Sequence, residues 1–205
     1  MGHPLEDHWV VVKRILRYLK GTLDHGLCLL PTTLHTTLSL KAFCDVDRAA
    51  DPDYRINTSS AAIYLDPNLI SWWSRKQPVV AKSSTEAEYH SLAHVTAELL
   101  WVQLTELKVT YQSPIILCDN QSAVLLAHNP ILHTRTKHME IDIFFVHEKV
   151  MHKQLTVVHI PGHDQWADIL TKPLSSSRFL ELKPKLNVTQ PLCVFVSGGG
   201  GCYER

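Results

Sequence analysis

The hydrophobic pattern of the chain changes its period at Ser83, and no other feature limits the possible folds as strongly. After a stretch with helical spacing at 7–20, short segments at 26–31, 38–44, 60–65 and 69–73 have the composition of strands. The run SSTE at 83–86 then combines hydroxyl caps with an acidic first turn, which is typical of a helix start. Further along, strands alternate with helices. We therefore predict an α/β fold in which antiparallel strands lead into βα crossovers, with helices on both faces of a mixed sheet.

The composition limits the chain to a single core without identifying a ligand. Its 205 residues are 45% hydrophobic, which is enough to bury one core. Twenty basic residues balance twenty acidic ones, so any positive surface for nucleic acid must be local. Five cysteines without a Cys-x-x-Cys pair argue against a disulfide framework or a ribbon-type zinc site. The sequence shows no signal peptide and no apolar run of membrane length, which predicts a soluble intracellular domain.

Four acidic residues stand where predicted strands or helices begin or end. Asp45 and Asp119 end two predicted strands. Glu88 lies in the first turns of the long helix, and Asp168 lies in a helix predicted for 164–171. Carboxylates at the ends of neighbouring strands can converge, and their repulsion then requires a cation such as Mg²⁺ or Mn²⁺. By spacing alone, however, helix caps and solvated strand ends are the commoner explanation of such acids.

Several longer blocks of sequence resemble a known family. The blocks are SSTEAEY at 83–89, CDNQSA at 118–123, NPILHTRTKH at 129–138 and DQWADILTK at 164–172. In this order they resemble the signature blocks of the ribonuclease H domain in copia-type retrotransposon polyproteins. The opening HWVVVKRILRYLKGT at 8–22 is similar to the segment that joins the reverse transcriptase to that domain.

The resemblance implies a ribonuclease H-like fold, in which three antiparallel strands followed by βα units form a five-stranded mixed sheet. It divides the chain into a remnant of the reverse transcriptase C-terminal segment at 1–36, a ribonuclease H domain at 37–174, and a C-terminal helix with a disordered tail at 175–205. The implied activity is hydrolysis of the RNA strand of RNA–DNA hybrids with two Mg²⁺ ions, or with Mn²⁺ instead. The implied partners are the hybrid and the reverse transcriptase domain of the parent polyprotein, with no membrane. The implied location is a cytoplasmic virus-like particle, with the nucleus as the alternative.

The resemblance also implies a site of four acids that bind the metal ions and carry the catalysis. Residue by residue, the acids of the family fall on Asp45, Glu88, Asp119 and Asp168. Glu86 is the alternative to Glu88, because residues two apart on a helix point about 200° apart and only one can face the ions. We choose Glu88 because it directly precedes Tyr89, which begins the buried stripe of the helix. Glu86 would then be a helix-dipole partner.

Further residues are candidates for supporting roles. His163 precedes Asp168 in a turn and resembles a loop histidine that assists proton transfer or product release, an exposed turn histidine being the alternative. Asp47 shares a strand face with Asp45 and stays outside the catalytic set. Cys118 is expected to be a small buried residue that points away from the neighbouring aspartate. Candidates for contacts to the 2′-hydroxyls and phosphates of the hybrid are Thr58, Ser59, Asn120, Gln121, Arg135, Lys137 and His138. For the basic residues of this set, a solvated loop is an equally good explanation.

Two departures from the family pattern lie beside the proposed cleft. Arg48 follows Asp47 directly and the usual tryptophan is missing, while Thr58-Ser59-Ser60 replaces the familiar Thr-Ser-Gly. Because Met1 falls inside the segment that resembles the end of a reverse transcriptase, we expect a fragment or a gene-captured remnant. Three hypotheses remain. They are an active endonuclease that leaves 3′-hydroxyl and 5′-phosphate ends, an inactive or co-opted hybrid-binding scaffold, and, less favoured, an integrase-like transferase of the same fold.

Overall fold

The structure is a computed structural model that describes residues 5–31, 37–48, 56–78, 80–102, 111–129 and 139–190. Its α-helices are α1 (Glu6–Lys20), α2 (Ser84–Val102), α3 (Gln121–His128), α4 (Glu140–Met151) and α5 (Ser176–Leu182). Its strands are β1 (Gly26–Leu27), β2 (Leu40–Asp47), β3 (Thr58–Leu65), β4 (Asn68–Lys76), β5 (Ile115–Cys118), β6 (Thr156–His159) and β7 (Val188–Thr189). Short 3₁₀ helices span Gly162–Asp164, Trp166–Leu170 and Lys183–Leu186.

Five of the strands form one mixed sheet in the order β4-β3-β2-β5-β6. The strands β2, β3 and β4 pair antiparallel, whereas β5 pairs in parallel with both β2 and β6. Parallel neighbours need a long crossover, and the helices α2, α3 and α4 lie in the connections that join them. The α/β fold with a five-stranded mixed sheet, predicted from the sequence, is confirmed.

Side chains alternate along the central strands and so form a core on each face of the sheet. On one face, Ala42 of β2 and Ile63 of β3 lie in a large core that includes residues of α2, α3 and α4. On the other face, Phe43 and Tyr64 pack in a smaller core with Trp166. Helices therefore cover both faces of the sheet, but on the second face they are mainly 3₁₀ helices.

An aromatic stack and a buried amide hold the 3₁₀ segment against the sheet. The rings of Phe43 and Trp166 are stacked, with their centroids 4.4 Å apart. The completely buried Gln165 donates a hydrogen bond from Nε2 to the carbonyl oxygen of Cys44, at 2.8 Å. Gln165 itself has an extended backbone (φ −78°, ψ 103°) and separates two 3₁₀ helices. The prediction of one continuous helix at 164–171 is therefore wrong, because the buried anchor interrupts it.

A second, two-stranded sheet joins the segment after α1 to the C-terminal end of the described residues. Strand β1 pairs antiparallel with β7, and the N–H of Cys28 donates to the carbonyl oxygen of Asn187 at 2.8 Å. A helix is present at Ser176–Leu182, as predicted, whereas the tail predicted to be disordered from Asn187 onward begins with the paired strand β7. Residues 191–205 lie outside the described ones.

Helix α1 contrasts with the rest of the fold, because none of its residues is buried. The rings of Tyr18 and of Phe179 in α5 form a T-shaped pair, with a centroid distance of 6.5 Å. Among the helices of the described ranges, none combines the length and the apolar character that crossing a membrane requires.

Removing the ring of Trp166 is expected to destabilise the protein. The variant Trp166→Ala loses the stack on Phe43 and leaves a cavity, which lowers the free energy of unfolding by about 3 kcal/mol. Urea unfolding followed by circular dichroism measures the change. The matched control is Trp101→Ala, because Trp101 is 74% exposed. The control should cost less than about 1 kcal/mol, and equal losses in the two variants would contradict the packing argument.

Candidate active site

The register of the sheet brings Asp45 and Asp119 side by side. In the parallel pair of β2 and β5, Cys44 is the partner of Cys118. The next residue along each chain is an aspartate, so two carboxylates lie next to each other where β5 ends. Asp45 is completely buried, and β2 continues beyond it to Asp47. The prediction that Asp45 ends its strand is therefore wrong. Asp119 does follow the end of β5 directly.

Asp168 joins this pair from the 3₁₀ helix Trp166–Leu170. The hydroxyl of Ser60 in β3 donates to the carbonyl oxygen of Ala167 at 3.2 Å, which ties this helix to the sheet. Carboxylate oxygens of Asp45, Asp119 and Asp168 consequently lie within 4.8 Å of one another. Small movements of the side chains would bring these oxygens into coordination distance of one divalent cation, which binds oxygen at about 2–2.6 Å.

Glu88 faces the same group from the first turns of α2. It is 8% exposed, and its Oε2 atom has no hydrogen-bond partner among the described residues. A carboxylate oxygen of Glu88, the sulfur of Cys118 and a carboxylate oxygen of Asp119 lie within 4.8 Å of one another. Cys118 is buried, as expected. Its sulfur nevertheless lies beside both acids, so the prediction that it points away from Asp119 is wrong.

Glu86 occupies a different position, at the start of α2. Its Oε2 accepts a hydrogen bond from the backbone N–H of Lys82 at 2.7 Å, and its own N–H donates to the hydroxyl of Ser83 at 3.1 Å. Its Oε1 also lies 3.9 Å from Nε2 of His90. These contacts are those of a helix-start acid. The structure thus brings Glu88, and not Glu86, next to the other acids.

Two residues that the sequence reasoning missed bind directly to the acids. The ammonium of Lys172 donates to Oδ1 of Asp45 at 2.9 Å and to Oδ1 of Asp168 at 2.6 Å. The hydroxyl of Thr171 donates to Oδ2 of Asp45 at 2.6 Å. Both residues belong to the DQWADILTK block, and the four-residue spacing between Asp168 and Lys172 is a signal that could have identified the pair.

The electrostatics of the group favour the binding of a cation. Burial is the main cause that raises the pKa of Glu88 to about 10; the charges of Cys118, Asp45 and Asp119 act in the same direction, and that of Lys172 opposes them. Burial followed by the charge of Asp45 raises the pKa of Asp119. Burial also raises the pKa of Asp168, although the hydrogen bond from Lys172 opposes that shift. Glu88, Asp119 and Asp168 are therefore harder to ionise than free carboxyl groups, and the positive charge of a divalent cation would favour their ionised forms.

The residues present fit hard divalent cations. The donors are mainly carboxylate oxygens, which Mg²⁺ and Mn²⁺ prefer. The buried Oε2 of Glu88 has no hydrogen-bond partner within the described ranges, and this points to a ligand, since buried polar atoms are normally satisfied. The contact of the Lys172 ammonium with two of the acids demonstrates that the group accommodates positive charge.

The loop that contains His163 runs past Asp119. A Cβ atom placed on Gly162 would lie 3.7 Å from Oδ2 of Asp119, so the loop passes close to this carboxylate. The side chain of His163 is 77% exposed, and its Nε2 lies 3.3 Å from Oδ2 of Asp164. The structure therefore puts His163 at the rim of the acid group with an accessible ring.

The predicted hybrid-binding residues differ in their exposure. Ser59 is buried, and its hydroxyl accepts a hydrogen bond from Nε2 of Gln77 at 2.8 Å. Thr58 is half-buried. Asn120 caps α3 by accepting from the N–H of Ala123 at 3.0 Å. Gln121 is exposed beside it, whereas Arg135, Lys137 and His138 lie outside the described residues.

The architecture and the acid group together define the class of the protein, which has the ribonuclease H fold. The solved LC11 ribonuclease H1 in complex with an RNA/DNA hybrid matches it with a TM-score of 0.50 and 15% sequence identity, covering 65% of this chain and 94% of that one. At this level of identity the likeness demonstrates the fold.

The sequence relatives identify the family. The chain is 45% identical, over 94% of its length, to the retrovirus-related Pol polyprotein from transposon RE2 of Arabidopsis thaliana. It is 35% identical, over 87% of its length, to the corresponding polyprotein from transposon TNT 1-94 of Nicotiana tabacum. The chain belongs to this family of copia-type retrotransposon Pol polyproteins, and it spans 13% of the length of these two relatives. No protein-family model matches the chain.

The buried Glu88 is expected to make stability depend on pH when divalent cations are removed. Its pKa is about 10 in the folded protein against 4.5 for a free glutamate, so folding favours the protonated form. Stability from this group is complete below pH 4.5 and is lost as the pH rises toward 10. In EDTA at pH 8, Glu88→Gln should therefore melt about 3 °C or more above the wild type.

Thermal unfolding at pH 5 and pH 8 measures this effect. The difference between Glu88→Gln and the wild type should be small at pH 5 and grow at pH 8. The matched control is Glu98→Gln on the same helix, which should show no such growth. A difference that is the same at both pH values would contradict the assignment.

Proposed function

We propose that this chain hydrolyses the RNA strand of RNA–DNA hybrids with two divalent cations, Mg²⁺ or alternatively Mn²⁺, as a step of retrotransposon reverse transcription. The observation that carries the proposal is the group of three aspartates in a ribonuclease H fold, with Glu88 beside Asp119. The solved structure of the LC11 ribonuclease H1 contains an RNA/DNA hybrid, which supports the substrate class.

The four acids hold the ions in this proposal. Asp45, Asp119 and Asp168 provide one set of oxygen ligands, and Glu88 extends it on the side of Asp119. When bound, two divalent cations activate a water molecule and stabilise the leaving oxygen of the phosphodiester. Glu88 gives up its proton on ion binding, because the positive charge offsets the burial that raises its pKa.

Other residues keep these ligands in place. Thr171 orients Asp45 through the hydrogen bond to Oδ2. Gln165 anchors the segment that carries Asp168 to the backbone of β2. Neighbours of this kind typically change metal affinity or activity tenfold to about a hundredfold when they are removed. His163, exposed at the rim, is proposed to assist proton transfer or product release.

Polar groups around the acids are proposed to contact the hybrid. Thr58 and Gln121 offer side chains that are not fully buried, and Asn120 lies directly after Asp119. Such groups can bind 2′-hydroxyls, which distinguish RNA from DNA. The hydroxyl of Ser59 is engaged by Gln77, so a contact of Ser59 with the hybrid would require that bond to break. Arg135, Lys137 and His138 are proposed to bind phosphates.

The proposed setting is the polyprotein. The reverse transcriptase domain of the parent polyprotein is the proposed partner, and the exposed apolar side chains of α1 are consistent with a surface that another part of such a protein covers. A cytoplasmic virus-like particle is the proposed location, with the nucleus as the alternative.

Cleavage of a labelled hybrid is the direct test. The purified chain with Mg²⁺ is expected to cut the RNA strand of an RNA–DNA duplex and to leave double-stranded DNA intact, with all cleavage lost in EDTA. Asp119→Asn should lower the rate at least about a hundredfold, because a ligand of the ions is lost. Asp24→Asn, at an exposed turn, is the matched control and should cut like the wild type. Binding of the hybrid without cleavage by the wild type would support the inactive scaffold, and cleavage by Asp119→Asn at the wild-type rate would indicate a contaminating nuclease.

The two glutamates can be separated by the same assay. Glu88→Gln is expected to lower the cleavage rate at least about tenfold, because its carboxylate is proposed to bind an ion. Glu86→Gln should retain most of the activity, since its contacts are those of the helix start. A larger loss in Glu86→Gln than in Glu88→Gln would reverse the assignment.

A further inference from the structure

Lys172 puts an ammonium group between two carboxylates that a divalent cation would need. Its Nζ atom donates to Oδ1 of Asp45 and to Oδ1 of Asp168, at 2.9 Å and 2.6 Å. The carboxylate of Asp45 is completely buried, and that of Asp168 is 13% exposed. Buried acids interact strongly with a nearby cation, because little water is present to screen the charges. Lys172 is therefore the main positive charge on these two acids in the described structure.

Both carboxylate oxygens of Asp45 are already engaged. Thr171 donates to Oδ2 of Asp45, while Lys172 occupies Oδ1. An ion that shares Asp45 and Asp168 must therefore take over oxygens that already have donors. Release of Lys172 frees one oxygen on each acid in a single movement, whereas release of Thr171 frees one oxygen on Asp45 alone.

The surroundings allow the ammonium to move. The side chain of Lys172 is 34% exposed, and its four methylene groups are flexible. It lines an open groove of about 440 Å³ between α1 and α5, together with Arg14, Tyr18 and Ser176. The ammonium can reach water in this groove without any rearrangement of the core.

We propose that Lys172 is an internal cation that competes with the divalent ion for Asp45 and Asp168. Ion binding is then an exchange, in which Nζ leaves both carboxylates as the divalent cation arrives. This inference rests on the proposed function and adds to it a positioning residue that sets the affinity for the ion. Loss of the ammonium should then have opposite effects on two properties. It should lower the thermal stability of the protein without divalent cations, and it should raise the affinity for the divalent ion.

The test compares Lys172→Met with two matched variants. Lys172→Arg keeps the positive charge, and Lys41→Met removes one positive charge from an exposed position at the other end of β2. Binding of Mn²⁺ is measured by electron paramagnetic resonance of the free ion, and thermal unfolding is measured in EDTA and in saturating Mn²⁺. Neither readout requires substrate or catalysis.

Lys172→Met is expected to bind Mn²⁺ about tenfold more tightly than the wild type, within the usual range for coupling between two binding events. It should also melt lower than the wild type in EDTA and regain that loss in Mn²⁺. Lys172→Arg and Lys41→Met should both bind Mn²⁺ as the wild type does. If Lys172→Met is unfolded in EDTA, Mn²⁺ should restore its circular dichroism spectrum.

Three outcomes would overturn the inference. Equal or weaker binding of Mn²⁺ by Lys172→Met, relative to Lys41→Met, would mean that the ammonium does not compete with the ion. Failure of saturating Mn²⁺ to restore an unfolded Lys172→Met would mean that Lys172 serves the fold alone. No binding of Mn²⁺ by any of the four proteins would reject the proposed function as well, which distinguishes that failure from the first two.

Discussion

The mutual repulsion of the carboxylates is the constraint on which the rest of the structure depends. One carboxylate oxygen each of Asp45, Asp119 and Asp168 lies within 4.8 Å of the others in a largely buried position, where like charges are costly. The fold holds them there through strand pairing and packing contacts that other residues make. The parallel register of β2 and β5 fixes the first two, and Gln165 and Trp166 fix the segment of the third. Positive charge from Lys172 then offsets part of the repulsion.

The cores on the two faces of the sheet position different parts of the acid group. The larger core under α2, α3 and α4 provides most of the buried apolar side chains and orients α2, from which Glu88 approaches. The smaller core holds 3₁₀ helices, which are less stable by themselves than α-helices and depend on such packing. Trp166 and Gln165 supply that packing directly beside Asp168. The stability of the second face and the geometry of the site are therefore linked.

Much of this protein was predictable because its signals are local. The change of hydrophobic period at Ser83 predicted the order of strands and helices, since side-chain period follows secondary structure. The resemblance to the family implied the three aspartates, and the structure brings them together. The prediction of a continuous helix at 164–171 was wrong. The hydrophobic period of this segment is the same whether or not a buried Gln165 interrupts the helix. The predicted direction of the Cys118 side chain was wrong for a similar reason. Alternation of side chains does not fix where a sulfur atom lies at the last residue of a short strand.

By itself, the sequence indicated the α/β class, the family and the three aspartates that the structure brings together. It could do so because hydrophobic period and motif order are properties of neighbouring residues. Only the tertiary structure decided which glutamate approaches the aspartates, that Ser59 is buried against Gln77, and that Lys172 lies between two acids. These facts depend on contacts between distant segments, such as the one between Gln165 and Cys44 across 121 residues. The pairing of distant residues arises when the sheet register and the two cores form together, and no local pattern encodes it.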